Sequence, residues 1–163
     1  MKKLNLVALA TFVLALAGLV PLSVAQAAQQ DETAVRQATD KFYAALNDMF
    51  VGNIEPMNDL WSHADDVTYM GPDRKYVIGW DQVQAIWQEQ AALKLGGKIE
   101  AERVHVTVGQ DLATVECSEV GENFVDGKPT QVTIRATNTY RKENGQWKMI
   151  GHHTDTLPFL DQQ

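Results

Sequence analysis

The sequence predicts an α+β fold in which helices come first and a curved antiparallel sheet follows. Apolar residues recur at helical spacing between residues 31 and 90. From residue 99 to residue 156 they alternate with polar residues, as in strands that bury one face. Turn-forming sequences separate the alternating segments, and this order of elements favours helices packed across a sheet.

Residues 1–27 are typical of an export signal. Lys2 and Lys3 form a basic start, a long apolar run follows, and small residues up to Ala27 fit a cleavage site. The apolar run is slightly short for a membrane span, so an uncleaved anchor is the weaker interpretation. We therefore expect a signal peptide, a mature domain at 28–163, a periplasmic or secreted location, and no stable membrane association after cleavage.

Composition limits the partners and the sources of stability. The formal charge is −7 for the whole chain and would be −9 once Lys2 and Lys3 leave with the signal. A protein this acidic is not expected to bind nucleic acid or anionic lipid. The mature chain would have 136 residues, enough for one domain. Cys117 is the only cysteine, so no intramolecular disulfide can form, and its strand-like surroundings favour a buried structural thiol.

Three helices are predicted in the first half of the chain. Residues 31–50 place apolar side chains on one broad face, which predicts a long amphipathic helix. A shorter helix should begin near Pro56, since proline suits the first helical turn. A third helix should begin at Asp81, whose side chain can cap it, and carry its apolar stripe to about Gln90.

Six strands are predicted around these helices. A short hairpin should join residues 67–70 to residues 75–78 through a turn at Gly71, Pro72 and Asp73. The four long strands are expected at residues 99–108, 113–124, 130–141 and 146–156. A long twisted sheet with a helix across it can curl into a half-barrel, and any unfilled interior would be a pocket.

Three segments and the order of elements resemble one known family. The segments are residues 60–72 (LWSHADDVTYMGP), residues 79–81 (GWD), and residues 135–147 (RATNTYRKENGQW), which lead to His152 and His153. Together they resemble the SnoaL-like branch of the nuclear transport factor 2-like superfamily, over nearly all of the mature chain. The resemblance implies a cone in which N-terminal helices and the curved sheet enclose a pocket. It implies no single activity, because that superfamily includes isomerases, polyketide cyclases, dehydratases and assembly modules.

The resemblance to ketosteroid isomerase does not extend to its essential groups. The oxyanion-stabilising tyrosine of that enzyme would fall at Phe42, and its catalytic aspartate would fall at Gly71. Tyr43 lies one position further along the helix, a rotation of about 100°, which predicts that it points away from the site. Isomerase chemistry of that kind is therefore not expected.

A histidine and a carboxylate on the last strand form the candidate catalytic pair. Strict alternation places His153 and Asp155 on one face of the strand and His152 and Thr154 on the other. A carboxylate beside an imidazole orients it and raises its pKa, as a general base near neutral pH requires. The polyketide cyclases use an acidic residue and histidines in this way, and His63 is the third comparable residue here. The open alternative is that one histidine packs structurally while the other is solvated.

Polar and aromatic residues elsewhere are the candidate ligand contacts. Arg135 could anchor a ligand carboxylate or pair with an acid on the adjoining strand. If the opposite face of its strand lines the interior, Asn138 is the ligand contact and Arg135 faces a partner subunit. Both orientations are open. The remaining candidates are rings that would form either a pocket wall or part of the core: Trp61, His63, Tyr69, Trp80 and Trp87.

Two functions are consistent with these patterns. The first is cofactor-independent acid–base chemistry beside a carbonyl of a small, largely apolar molecule, with His153 as base, Asp155 orienting it, and Tyr69 or Asn138 stabilising an oxyanion. The second is a ligand-binding or dimeric assembly module without chemistry. We expect a homodimer in either case. No metal or cofactor is expected, because the histidine spacing fits no standard zinc pattern and no nucleotide motif occurs.

Overall fold

The structure of the protein, a computed structural model, describes residues 22–160. The predicted export segment lies mostly outside the described residues, and its last positions belong to the first helix. Within the described range, no helix combines the length and the apolar character that crossing a membrane requires.

The three predicted helices are confirmed. They are α1 (Leu22–Met49), α2 (Glu55–Leu60) and α3 (Trp80–Leu93). Val35, Phe42 and Met49 of α1 are fully buried and lie seven residues apart, so one face of this helix packs against the rest of the protein. The predicted cap of α3 was wrong, because Gly79 holds that position instead of Asp81. Gly79 has a φ of 94°, which a residue with a side chain rarely adopts, and this conformation turns the chain into the helix.

The described strands form one six-stranded sheet. They are β1 (Thr68–Met70), β2 (Tyr76–Ile78), β3 (Lys98–Val108), β4 (Leu112–Val125), β5 (Lys128–Glu143) and β6 (Gln146–Thr154). Their order in space is β2-β1-β6-β5-β4-β3, and the predicted antiparallel meander from β3 to β6 is confirmed. However, β1 runs parallel to β6, so the sheet is mixed and not wholly antiparallel. The reason is that the chain leaves β2 through α3 to the far edge of the sheet, and the hairpin meets the meander only at β6.

Large side chains fill most of the space between the helices and the concave face of the sheet. The largest fully buried ones come from every layer: Trp61, Tyr69, Trp87, Tyr140 and Met149. Protein interiors pack at the density of organic crystals, so little free volume is left between rings of this size. The interior of the cone is therefore mostly a solid core.

An extra residue in β6 interrupts the alternation of its side chains. Thr139 of β5 pairs with Gly151, while the next residue, Tyr140, pairs with Met149. Ile150 consequently has no partner on β5. An unpaired residue of this kind is a β-bulge, and it shifts the side chains that follow by one position.

The bulge decides which histidine faces the core. Trp147 and Met149 are buried before it, whereas His152 and Thr154 are buried after it and His153 is exposed. Strict alternation from Met149 would have placed His153 inside. The prediction that His153 faces the interior was therefore wrong: His152 faces the core and His153 faces the solvent.

Candidate functional site

A small cavity lies between α3, the first hairpin and the concave face of the sheet. It has about 30 Å³ of room for the centres of water-sized molecules, and one water needs ~10–15 Å³ on this measure. Its polar and aromatic lining consists of Tyr69, Trp87, Gln90, Glu119, Asn123 and His152. Leu157 and Leu160, which follow β6, belong to its apolar wall.

A directed chain of hydrogen bonds runs beside this cavity. The amide nitrogen of Asn138 donates to the hydroxyl of Tyr43 at 3.3 Å, and that hydroxyl donates to Oε1 of Glu119 at 3.1 Å. The amide oxygen of Asn138 lies 2.7 Å from Nδ1 of His152 and can only accept. Nδ1 therefore carries the imidazole hydrogen, and Nε2 carries the lone pair. Asn138 thus holds both Tyr43 and His152, and Tyr43 holds Glu119.

The two ends of the chain meet at the cavity. Nε2 of His152 lies 3.9 Å from Oε1 of Glu119, which is too long for a hydrogen bond. Burial, with a smaller effect of His153, lowers the pKa of His152 to about 3. Burial also raises the pKa of Glu119 to about 7, although the hydrogen bond from Tyr43 opposes this. At neutral pH the imidazole is uncharged, and the carboxyl group keeps its proton to a higher pH than an ordinary glutamate does.

Tyr43 takes part in this chain, so the prediction that it points away from the site was wrong. Phe42 and Tyr43 are both buried, because the buried face of α1 is wide enough to include neighbouring positions. The Tyr43 hydroxyl also lies 3.0 Å from Sγ of Cys117. Cys117 is buried as predicted, and burial raises the pKa of its thiol.

Two residues with ring-borne polar groups, Tyr69 and Trp87, line the cavity on the side of α3 and the hairpin. The Tyr69 hydroxyl accepts a hydrogen bond from Gln90, and it packs so closely over Gly71 that a Cβ there would lie 1.8 Å from it. Burial, followed by the negative charge of Asp73, raises the pKa of Tyr69. The indole N–H of Trp87 is buried and has no hydrogen-bond partner among the described residues. An unpaired buried donor costs about 1–3 kcal/mol, so a ligand oxygen bound to it would remove that cost.

The predicted catalytic pair lies outside the cavity. His153 is exposed on the convex face of the sheet, for which the bulge at Ile150 is the physical reason. Asp155 does not orient His153, because its carboxylate accepts hydrogen bonds from the Arg135 guanidinium at 2.8 Å. These bonds lower the pKa of Asp155 to about 2. The expected geometry of a histidine–aspartate base facing the pocket is thus corrected.

Of the two orientations left open for β5, the structure has the one with Asn138 inside. Asn138 is fully buried and bonds to Tyr43 and His152, while the Arg135 side chain is 85% exposed on the convex face. Arg135 is paired with Asp155 and does not reach the cavity.

The predicted ring contacts divide into two groups. Tyr69 lines the cavity, whereas Trp61 is a core residue that packs on Trp80 and does not line it. His63 is exposed and stacks on Trp80 with a centroid distance of 4.4 Å and an interplanar angle of 12°. Its Nε2 lies 2.9 Å from the backbone oxygen of Asn58, at the end of α2. His63 and Trp80 therefore form a surface stack away from the cavity.

Comparison with known protein families agrees with this fold. The model of the SnoaL-like domain matches residues 35–156. The chain belongs to the SnoaL-like domain family. Its solved neighbours in the nuclear transport factor 2-like family share the α+β cone built from N-terminal helices and a curved sheet.

Several solved structures are similar to this SnoaL-like domain. A candidate dehydratase of the nuclear transport factor 2-like family from Streptomyces avermitilis is 26% identical, with a TM-score of 0.70, covering 79% of this chain and 97% of that one. A candidate calcium/calmodulin-dependent protein kinase II association domain from Thiobacillus denitrificans is 27% identical, with a TM-score of 0.63 and coverages of 74% and 92%. A protein with a cystatin-like fold from Novosphingobium aromaticivorans, 19% identical with a TM-score of 0.67 and coverages of 88% and 92%, shows the fold alone.

A curated relative is longer than this SnoaL-like domain. The F-box protein SKIP8 of Arabidopsis thaliana is 25% identical over 130 residues, which are 80% of this chain and 52% of the relative. The chain thus spans about half the length of the curated relative that it matches.

Sequence reasoning missed three residues of the site: Tyr43, Glu119 and His152. A signal for Glu119 was present, because it continues the buried alternation of Val115 and Cys117 along β4. The orientation of His152 had no such signal, since it depends on the bulge. In the part of the SnoaL-like domain that the structure describes, no three His, Cys, Asp or Glu side chains are placed to share a metal ion.

Replacing Glu119 should change how stability depends on pH. The pKa of Glu119 is raised from 4.5 to about 7 on folding, so the folded state holds its proton more tightly and the stability gained from this is lost as pH rises from 4.5 to 7. Glu119→Gln removes that loss. The stability of the variant relative to the wild type should therefore rise by about 3 kcal/mol between pH 4.5 and pH 8, measured by urea unfolding.

His152 is present in the wild type and in Glu119→Gln, and its titration changes stability with pH in the opposite direction. The difference between their two pH profiles therefore comes from Glu119. The pKa of His152 is lowered on folding, so its contribution is present above pH 6.5 and lost as pH falls towards 3. The control is Glu116→Gln, which removes the same charge from an exposed position of β4. Equal pH profiles for the two variants would contradict the assignment of a raised pKa to Glu119.

Proposed function

We propose that the protein binds a small, largely apolar molecule in the cavity and moves a proton next to a carbonyl group of that molecule, without a cofactor. The observation that carries this proposal is the buried carboxyl of Glu119, which lines a cavity beside a neutral imidazole. A carboxyl group with a pKa of about 7 can both accept and return a proton near neutral pH.

The groups around Glu119 suit the other steps of such a reaction. Nε2 of His152 is an unprotonated acceptor that can hold a ligand hydroxyl. The unpaired indole N–H of Trp87 and the hydroxyl of Tyr69 are the candidate donors to a developing oxyanion. Asn138 and Tyr43 position the two reacting groups from behind and do not touch the ligand.

The likeness to a candidate dehydratase supports this proposal. Elimination of water from a hydroxycarbonyl compound begins when a base removes a proton beside the carbonyl, which is the step assigned here to Glu119. His153, which the sequence favoured as base, has no role in this proposal because it lies on the convex face.

Proton transfer can be tested before the natural substrate is known. In deuterated buffer at pH 7, the wild-type protein should catalyse exchange of the protons beside the carbonyl for at least one member of a panel of small ketones, followed by NMR. Glu119→Gln should lower the exchange rate by about 10²–10⁴-fold, the usual contribution of a general base. His153→Ala should leave the rate unchanged.

Both variants separate catalysis from folding. Glutamine at position 119 keeps an oxygen that can accept the Tyr43 hydrogen bond, so near-ultraviolet circular dichroism should match that of the wild type. Loss of exchange in His153→Ala, or full activity in Glu119→Gln, would overturn the assignment of the base.

We also propose that two chains associate through the convex face of the sheet. His105, Glu116, Thr137 and His153 lie directly opposite one another across four strands and form a continuous polar row there. The likeness to a candidate kinase association domain supports an assembly role for this face, alone or together with chemistry in the cavity.

The dimer can be tested at the centre of that row. Thr137→Arg should convert a dimer to a monomer in sedimentation velocity, because it adds a bulky charge between His153 and Glu116. Gln131→Arg, on the same face of the same strand near the β4–β5 turn, is the matched control and should stay dimeric. A wild-type protein that sediments as a monomer at high micromolar concentration would refute the proposal.

Export is proposed from the sequence of residues 1–27 alone. The basic start, apolar run and small residues before the cleavage site support it. After expression of the full chain, N-terminal sequencing of protein from the periplasmic or secreted fraction should begin at Ala28. An intact N-terminus on protein found only in the cytoplasm would contradict export.

A further inference from the structure

We propose that the ligand of the cavity carries a positive charge, and that the site accepts small organic cations such as protonated amines. This inference rests on the proposed function, since it takes the same cavity as the ligand site. It goes further by assigning the charge of the ligand and the path by which it enters.

The first argument is a buried carboxyl group without a counter-charge. Glu119 is only 4% exposed, and no Lys or Arg is among the described residues that line the cavity. One of its oxygens accepts a hydrogen bond from Tyr43, and the other has no partner among the described residues. The basic side chain beside it, His152, is uncharged. A buried carboxylate is costly until a cation pairs with it, so a cationic ligand supplies what the protein lacks.

The second argument is the aromatic wall. Phe50, Tyr69 and Trp87 line the cavity, and the rings of Tyr69 and Trp87 meet edge to face with centroids 5.0 Å apart. Aromatic faces attract ammonium groups, most strongly where water is excluded. The small volume suits a compact charged head group better than a large apolar body.

The third argument is the charge of the neighbouring depression. This vestibule has about 140 Å³ of room for water-sized molecules, and Gln90 and Leu160 line both it and the cavity. Lys75 within it is ion-paired with Glu89 and lies 3.7 Å from Asp73. Two carboxylates thus face one ammonium group, and the excess negative charge attracts cations and repels anions.

A short segment separates the vestibule from the cavity. Leu157 and Leu160 follow the last strand, and the backbone N–H of Leu157 is held by the oxygen of Pro72 at 2.9 Å. Among the described residues its last bond to the sheet is the one from the N–H of Asp155 to the oxygen of Arg135 on β5, so the part from Leu157 onward can move without breaking the sheet. A ligand can then place its charged head beside Glu119 and its apolar tail past Leu160 into the vestibule.

A cation beside Glu119 also changes the ionisation of this carboxyl group. An opposite charge within ~4–6 Å favours the ionised form of the carboxyl group and lowers its pKa. Binding near pH 7 should therefore release protons, because Glu119 is partly protonated in the free protein. A neutral ligand would release none.

Three probes of equal chain length test the charge preference at pH 7: n-butylammonium, butan-1-ol and butyrate. Binding is followed by NMR through the indole N–H signal of Trp87, which lines the cavity. The expected dissociation constant for n-butylammonium is at least about tenfold lower than for butan-1-ol, with no binding of butyrate. Calorimetry in two buffers of different ionisation enthalpy should show proton release with n-butylammonium only.

Two variants assign the effect to the buried charge. Glu119→Gln should weaken n-butylammonium at least about tenfold and abolish proton release, while it changes butan-1-ol little. Glu102→Gln removes the same charge from an exposed position of β3, outside the cavity and the polar row, and should bind n-butylammonium like the wild type. Equal weakening by both variants would mean that overall charge attracts the cation, and it would overturn the inference.

The remaining outcomes separate this inference from the proposed function. If small ketones exchange protons or shift the Trp87 signal while n-butylammonium binds no better than butan-1-ol, the cavity is a ligand site for neutral molecules and only the cation assignment fails. If neither ketones nor the three probes bind, both proposals fail.

Discussion

The inward orientation of His152 depends on one unpaired residue, Ile150, and most of the site depends on His152. Because the bulge shifts the alternation of β6, the imidazole faces the core and bonds to Asn138. Asn138 is then fixed in the orientation that donates to Tyr43, which in turn donates to Glu119. Without the extra residue, the solvent-facing and core-facing histidines would exchange places and this chain could not form.

The elements themselves could be predicted from the sequence, because helical and alternating patterns and turn residues are local signals. Two features could not. The parallel pairing of β1 with β6 joins strands far apart in the chain, and no local pattern records it. The bulge is hidden because Ile150 is an apolar residue in an alternating strand and looks like any other core position. The sequence therefore placed the candidate base on the solvent-facing side of β6, and Asn138, predicted as a ligand contact, is buried but does not line the cavity.

Burying so many polar groups lowers the stability that the core could otherwise have. A buried carboxyl group, a neutral imidazole, an amide and a phenol satisfy one another through three hydrogen bonds, yet the indole N–H of Trp87 has no partner among the described residues. A purely structural core of this size would favour apolar side chains at these positions. The polar chain is easier to explain if a ligand completes it, and the aromatic packing around it supplies the rigidity that holds the groups in place.

The chain after β6 also forms part of the cavity wall, through Leu157 and Leu160. The backbone N–H of Leu157 donates to the oxygen of Pro72, so this wall is fastened to the turn between β1 and β2. A mutant library that aims at a different ligand preference should therefore include that turn together with the residues of the cavity.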